Sequence, residues 1–137
     1  MALSIYTKNL IINHMLRNVA YAPPATLYLA LFTSVVGLEE NSGVASEVGA
    51  GLGYTRQEIT LAAAFNATTA NTNDILFGTA SAGWGTVSHI AIVDHPTNVN
   101  WGVNVNVLHY EALNEGRIVA LGDIVNLFAG QADLIIS

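Results

Sequence analysis

The 137-residue sequence has no cysteine, only four lysine and arginine residues, and no apolar run of membrane-spanning length. The absence of cysteine excludes disulfides and thiolate metal ligands. Four basic residues cannot form a basic patch, so we expect no direct binding to nucleic acid or to an anionic membrane surface. The first residues also lack the basic start and apolar core of a signal peptide, which predicts a cytoplasmic product.

Charged residues are scarce as a class: they make up 10% of the chain, while hydrophobic residues make up 52%. About a quarter of a typical soluble domain is charged. The surface must therefore include many apolar atoms and uncharged polar groups, which lose little hydration when they are covered. This composition favours a protein packed into an assembly over the alternative, a modestly soluble monomer.

The sequence does contain strand-like alternation, most strongly in residues 84–94. Both sides of this segment are mainly apolar, as in a central strand that is covered on both faces. Strict alternation divides its side chains between two faces: Val87, His89, Ala91 and Val93 on one, and Ser88, Ile90 and Ile92 on the other.

Other segments look like neighbours of this strand. Residues 26–32 alternate with apolar side chains on both faces, and residues 101–111 alternate until a break near Val107 and Leu108 predicts a bulge. Residues 54–61 have one strongly polar face that includes Arg56, which predicts an edge or solvent-facing strand. Later, a turn at residues 114–116 and further short strands complete the pattern.

Two non-strand segments are predicted near the start of the chain. Residues 4–18 have the apolar spacing of an amphipathic helix capped by Ser4, which either closes one end of the fold or docks onto a partner. Residues 33–53 hold five glycines and predict a long flexible loop, which either reaches a neighbouring subunit or moves freely at the surface. The predicted fold is thus mainly β: a single-domain antiparallel β-sandwich or barrel over residues 1–137, with one N-terminal α-helix.

Histidines offer the nearest approach to catalytic or metal chemistry. His89 and His109 could face each other across paired strands as a metal or acid–base cluster, although a histidine bonded to a backbone carbonyl is more common. Ser88 and His89 are adjacent in a strand and should face opposite ways, which excludes a Ser-His-Asp triad with Asp94. We therefore predict no catalytic, cofactor-binding or metal site, and a protein that is not an enzyme.

Four segments of the sequence resemble a known family. They are LSIYTKNLIINHMLRNVAYAPPATLYLALFTS, GYTRQEITL, FGTASAGWGTVSHIAIVD and GDIVNLFAGQADLIIS. They are similar to segments of a family of small tailed-bacteriophage virion proteins, and the first, third and fourth resemble its opening, central and closing motifs. The resemblance covers almost the whole chain. Members of the family are often labelled tail fibre proteins, while similar small β-proteins serve as capsid cement. The resemblance implies a structural protein of the virion, made in the host cytoplasm, and it implies no catalytic residues.

Between these two virion roles, the sequence favours a capsid cement, or decoration, protein that bridges major capsid protein subunits. A host-binding fibre usually has a shaft, a coiled coil or repeats, and the sequence has none of these. The alternative is a tail or tail-fibre component that attaches to the host surface, with Trp84 and Trp101 as a platform for glycans. For these two tryptophans, the sequence favours the role of side chains that close the core over that of a glycan platform.

We expect the partners to be the major capsid protein or other virion proteins, and the protein itself to be a homo-oligomer, with a trimer favoured. Nucleic acid and membrane are not expected partners. The residues predicted to lie at the interface come from the helix, the glycine-rich loop and an asparagine-rich strand: Tyr6, Asn13, Arg17, Glu47, Leu52 and Asn104.

Overall fold

A computed structural model describes residues 2–41, 46–49, 51–97, 106–130 and 133–135. Within them lie one helix and nine strands, whose pairings are all antiparallel. In chain order these are β1 (Ala2–Leu3), α1 (Ile5–Leu16), β2 (Leu27–Phe32), β3 (Gln57–Ile59), β4 (Thr68–Ala70), β5 (Ile75–Leu76), β6 (Gly85–Val93), β7 (Val107–Val119), β8 (Asn126–Leu127) and β9 (Asp133–Ile135). The predicted fold class, mainly β with one N-terminal helix, is confirmed.

The main sheet has five strands in the order β1-β7-β6-β2-β3, and β4–β9 and β5–β8 form two smaller pairs. The strand β6 is therefore central, as its apolar faces predict. Since β1 and β3 stand at the two ends of the order, this sheet is open in the described part of the chain. The arrangement is sandwich-like rather than a closed barrel.

The core lies on both faces of the main sheet. On one face, side chains of β2 and β6 such as Leu29 and Ile92 pack with Ile75 of β5 and the neighbouring Phe77. On the other face, small and aromatic side chains of the same strands pack under Leu38, which comes from the loop after β2. Both faces are thus covered, which explains why residues 90–93 of β6 are all apolar and buried.

Two bulges determine on which face of the sheet the side chains of β6 and β7 lie. Ile92 pairs with His109 but Val93 pairs with Val107, so one extra residue, Leu108, lies between them, and the predicted bulge is confirmed. The second bulge was not predicted. Val87 pairs with Arg117 and His89 with Ala112, so four residues of β7 lie opposite one residue of β6.

The second bulge corrects two predictions. Val87 belongs to the same buried cluster as Ile90 and Ile92, not to the face that holds Ala91 and Val93, because a bulge interrupts strict alternation. The segment at residues 114–116 does not turn the chain. It is an arch within β7, and the strand continues its pairing with β6 beyond it.

The helix α1 begins as predicted. The Ser4 side chain accepts a hydrogen bond from the Thr7 backbone N–H and donates one to the Val107 carbonyl, which ties the N-cap to β7. At the other end, the Asn13 carbonyl accepts from the backbone N–H groups of Arg17 and Val19. The chain leaves the helix through Asn18, whose left-handed φ of 55° suits asparagine.

The predicted loop over residues 33–53 has no helix or strand in its described part, apart from an isolated bridge between Phe32 and Glu47. It is anchored to the core, because Leu38 and Val48 are buried. Its flexibility stays a prediction. The described residues contain no helix that is both long enough and apolar enough to span a membrane.

Candidate functional site

An ion pair is buried next to the edge strand β3. Arg56 Nε donates to Glu47 Oε1 at 2.7 Å, and Arg56 Nη2 donates to Glu47 Oε2 at 2.8 Å. Each side chain is only 2% exposed. Of the two predicted alternatives, an edge or a solvent-facing strand, the edge is confirmed. Arg56, on the polar face of this segment, is buried because the loop brings a carboxylate over it. Two parallel bonds of this kind are the strongest form of an arginine–carboxylate contact.

Tyr54 completes the same network. Its hydroxyl donates to Glu47 Oε1 at 2.8 Å and accepts from the Leu31 backbone N–H at 3.1 Å. Burial, followed by the neighbouring carboxylate, raises the pKa of Tyr54 well above its usual value, so the hydroxyl keeps the proton that it donates. The network thereby links the loop to β2.

The remaining donors of Arg56 fix the turn after β6. Nη1 donates to the backbone carbonyls of His95 at 2.9 Å and Thr97 at 2.8 Å. Glu47, predicted to lie at an interface, therefore uses both carboxylate oxygens inside the chain. A contact between this carboxylate and a partner would require the ion pair to open, so we leave Glu47 out of the surface proposed below.

A second buried network lies where β7 begins. Asp94 accepts from the Asn106 backbone N–H at 2.7 Å and from its side-chain amide at 2.9 Å. Asn41 donates to the Asn106 side-chain oxygen at 2.8 Å and accepts from the Val107 N–H at 2.6 Å. Asn106 thus belongs to the interior, whereas the alternating asparagines predict a wet face. The predicted interface residue Asn104 lies outside the described residues.

Leu52 and Trp84, predicted for different roles, contact each other. The Trp84 indole N–H donates to the Leu52 carbonyl at 2.7 Å, and the Ser81 backbone N–H donates to the same oxygen at 2.9 Å. Trp84 is 4% exposed and packs edge-on against Tyr54. A buried indole has no open face on which a sugar could stack, so Trp84 closes the core here. The other predicted glycan residue, Trp101, lies outside the described residues.

The three predicted interface residues of α1 divide into two kinds. Asn13 and Arg17 meet on the outer side of the helix, where Arg17 Nη1 donates to Asn13 Oδ1 at 2.9 Å. Tyr6 is half-buried and packs against the core, and its pKa is raised first by that burial and then by Tyr21 and Asp94. Asn13 and Arg17 are thus the two that an approaching surface meets.

Exposed large apolar side chains include two groups, and others such as Val36 and Phe65 lie outside these groups. The first group, on α1, is Ile12, Met15 and Leu16, of which Leu16 is 80% exposed. The second group, around the end of β7 and the start of β8, is Ile118, Leu121, Ile124 and Phe128. Grouped apolar exposure of this kind marks contact surfaces. The sequence interpretation missed the second group, because these residues fit the alternation of short strands whose burial the pattern alone does not decide.

The structure does not bring His89 and His109 together. His89 pairs with Ala112 and His109 pairs with Ile92, three positions further along β6, so their side chains lie on opposite faces about 10 Å apart along the strands. In the described ranges, no three histidine, aspartate or glutamate side chains are grouped closely enough to hold a metal ion.

One prediction about this region is wrong. Ser88 Oγ and His89 Nδ1 are 2.8 Å apart and share a hydrogen bond, although neighbouring strand residues should face opposite ways. The bulge between Val87 and His89 breaks the alternation and allows the contact. Asp94 does not extend the pair into a triad, because its carboxylate binds Asn106 at the far end of β6.

His109 lies under α1 in an apolar pocket of about 170 Å³, lined by residues that include Leu10, Ile11 and Leu108. Its Nε2 atom is buried and has no hydrogen-bond partner among the described residues. Burial, followed by the positive charge of the chain N-terminus, lowers the pKa of His109 to about 4. The imidazole therefore stays neutral in the folded protein at neutral pH, as an apolar pocket requires.

This pKa predicts a loss of stability in mild acid. Between the ordinary histidine pKa of about 6.5 and the folded value of about 4, the unfolded chain binds a proton that the folded chain does not. The free energy of unfolding should therefore fall as the pH is lowered through that window. For a ring that is partly exposed to solvent, we expect a total contribution of about 2 kcal/mol.

The measurement is urea unfolding of the wild type and His109→Leu at several pH values from 4 to 7. The pH dependence should be smaller in His109→Leu, because that variant has no imidazole to protonate. His14→Gln, which changes an exposed histidine on α1, is the matched control and should leave the wild-type dependence in place. Equal slopes for the wild type and His109→Leu would contradict the prediction.

Comparison with known proteins adds one finding. A protein-family model described as "Podophage GP4 fiber I protein gp80" matches residues 2–135. No curated protein matches the sequence. The family match spans both exposed apolar groups, both buried networks and the helix.

Proposed function

The chain belongs to the family described as Podophage GP4 fiber I protein gp80, and from this premise we propose that it is a structural component of a phage tail fibre. In this proposal the protein acts in the virion through contacts with other subunits and carries out no reaction. The family description names a fibre, and it therefore supports the tail-fibre alternative better than the capsid cement prediction.

The observation that supports an assembly role is the exposure of large apolar side chains in a chain that buries one of its ion pairs. Glu47 and Arg56 are joined inside the chain. Meanwhile side chains that normally form cores, such as Met15 at 73% and Ile118 at 76%, face outward. Such a surface loses little hydration when another subunit covers it, which suits a fibre built from packed copies.

Localisation on the particle tests the proposal. Antibodies raised against the purified protein, detected on intact virions by immunogold electron microscopy, should label the tail. An antibody against the major capsid protein is the matched control and should label the shell. Labelling distributed over the shell would overturn the tail-fibre proposal and restore the capsid cement prediction.

We also propose that the fibre component is a homo-oligomer with closed three-fold or two-fold symmetry, and of these we favour the trimer. Light scattering coupled to size-exclusion chromatography should give a mass that is a multiple of 14.5 kDa. A mass of one chain over a wide range of concentrations would contradict self-association while leaving the tail location open to the labelling experiment.

A further inference from the structure

An apolar groove of about 540 Å³ opens between the arch of β7 and the strand β8. Its floor consists of side chains from the buried core, including Leu31, Val87 and Ile90. The groove exists because four residues of β7 lie opposite one residue of β6. The extra residues of β7 cannot pair with β6 and arch away from the sheet. A concave surface with a core-like floor is suited to receiving apolar side chains.

The rim of this β7–β8 groove is polar. Asn114, Glu115 and Arg117 line it along β7, and Asn126 lines it along β8, all of them exposed. The combination of an apolar floor and a charged rim is typical of the centre and edge of a protein–protein contact.

The outer side of α1 carries side chains of matching character. Ile12, Met15, Leu16 and Val19 are exposed at 50%, 73%, 80% and 44%. The first three follow the i, i+3, i+4 pattern of one helix face, and Val19 lies three residues past Leu16, the last helical residue, after the left-handed Asn18. We name these four residues the helix stripe. A helix face with this spacing is the common ligand of an apolar groove.

The charges beside the two surfaces are complementary. Of the four basic residues, Arg56 is buried in its ion pair and Lys8 is 3.4 Å from Glu39. The other two, Arg17 and Arg117, lie beside the helix stripe and on the groove rim. Arg17 beside the helix stripe can pair with Glu115 on the rim of another copy. Arg117 on that rim carries the positive charge that is favourable near the C-terminal end of a helix.

We propose that the helix stripe of one copy inserts into the β7–β8 groove of a second copy of this chain, with Arg17 of the first facing Glu115 of the second. No residue belongs to both surfaces, so each copy can give its helix to one neighbour and its groove to another. Such a heterologous contact closes into a ring or extends into a filament, depending on the rotation between copies. Its place in a phage particle rests on the proposed fibre role.

Cysteine cross-linking tests this geometry directly, because the native chain has no cysteine. Leu16→Cys places a thiol on the helix stripe, and Asn126→Cys places one on the groove rim, both at exposed positions. Under mild oxidation, a mixture of the two single variants should form a disulfide-linked pair containing one of each. Phe65→Cys, exposed but outside both surfaces, is the matched control and should not link to Leu16→Cys.

Two cross-linking outcomes would overturn the proposal. One is a Leu16→Cys protein that links mainly to itself, which would mean that helices meet helices in a symmetric contact. The other is an oligomer in which Leu16→Cys and Asn126→Cys link no faster than the Phe65→Cys control, which would mean that copies meet through other surfaces.

A charge exchange gives a second test that does not depend on disulfide chemistry. Arg17→Glu and Glu115→Arg should each weaken self-association, and the double variant should restore it, because the pair is then reversed. Leu16→Glu should weaken association about tenfold or more by placing a carboxylate in the groove. All four proteins are measured by light scattering across a dilution series, with circular dichroism confirming that each is folded.

The results separate this inference from the proposed function. A wild-type protein that stays monomeric, or single variants that the double variant does not restore, would overturn the helix-in-groove contact even if labelling places the protein on the tail. Labelling of the shell would overturn the fibre role even if the predicted cross-link forms.

Discussion

Replacing Glu47 with alanine is expected to lower the free energy of unfolding by about 3–5 kcal/mol, the usual effect of removing one partner from a buried ion pair. The substitution removes the carboxylate that accepts two hydrogen bonds from the Arg56 guanidinium, whose side chain is only 2% exposed. It also removes the acceptor of the Tyr54 hydroxyl. The loss should appear in urea unfolding followed by circular dichroism, at one fixed protein concentration.

The chain supplies a matched control for this experiment. Glu39 contacts Lys8 at 3.4 Å, and both side chains are 48% exposed, so Glu39→Ala should change stability by no more than about 1 kcal/mol. The double variant Glu47→Leu/Arg56→Met should recover part of the loss, because it removes both charges together. Similar effects of Glu47→Ala and Glu39→Ala would show that the buried pair is solvated, contrary to the structure.

Gly53→Ala is expected to be the second severe substitution, with a loss of about 2–5 kcal/mol from backbone strain and overpacking together. Gly53 has a φ of +81°, and an added Cβ would lie 2.3 Å from the Thr79 carbonyl oxygen and 2.9 Å from the Ser81 nitrogen. Both are backbone atoms, so relief requires the two segments to separate. That movement would stretch the bonds that the Leu52 carbonyl accepts from Ser81 and Trp84.

Gly51→Ala separates the two causes. Gly51 has nearly the same φ, +84°, but an added Cβ there would meet no atom within 4 Å. It should therefore lose only the roughly 1–2 kcal/mol of a left-handed non-glycine residue. Unfolding followed by tryptophan fluorescence measures the free energy of unfolding of both variants. If Gly53→Ala lowers it no more than Gly51→Ala does, the close approach to Thr79 does not constrain the fold.

Elements that are determined by residues close together in the sequence could be predicted from the sequence alone. The strand β6 and its central position follow from two apolar faces, and α1 follows from helical spacing behind Ser4. The bulge at Leu108 was also predicted, because an apolar residue follows Val107 where alternation calls for a polar one. In each case the residues that decide the structure are neighbours in the sequence.

Features that depend on distant segments were missed. The alternation places Arg56 on a polar strand face, and its burial results from Glu47, which the loop brings over it. The periodicity of the sequence does not predict this contact. The face of the sheet on which Val87 lies depends on the four residues of β7 opposite Ser88. These four residues come about 25 positions after Ser88 in the chain. The short strand β1 was missed because two residues carry no periodic signal.

The candidate interaction surface was predictable only in part. The helix was predicted as one of two possible docking elements, and Asn13 and Arg17 do lie on its outer side. The groove was not predicted, because it results from an arch in β7 and from the placement of β8 beside it. A concave surface built from four segments of the chain has no pattern in any one of them that would predict it.

The bonds between Ser4 and β7 also determine the order in which the chain can fold. The Ser4 backbone N–H donates to the Leu108 carbonyl, and β1 pairs with the strand that begins at Val107. At about 5–20 residues per second, translation leaves the first strand without its partner for roughly 5–20 s. The strand β1 and the helix α1 are therefore synthesised well before the strand that they contact, and during that interval α1 has no β7 of its own to cover.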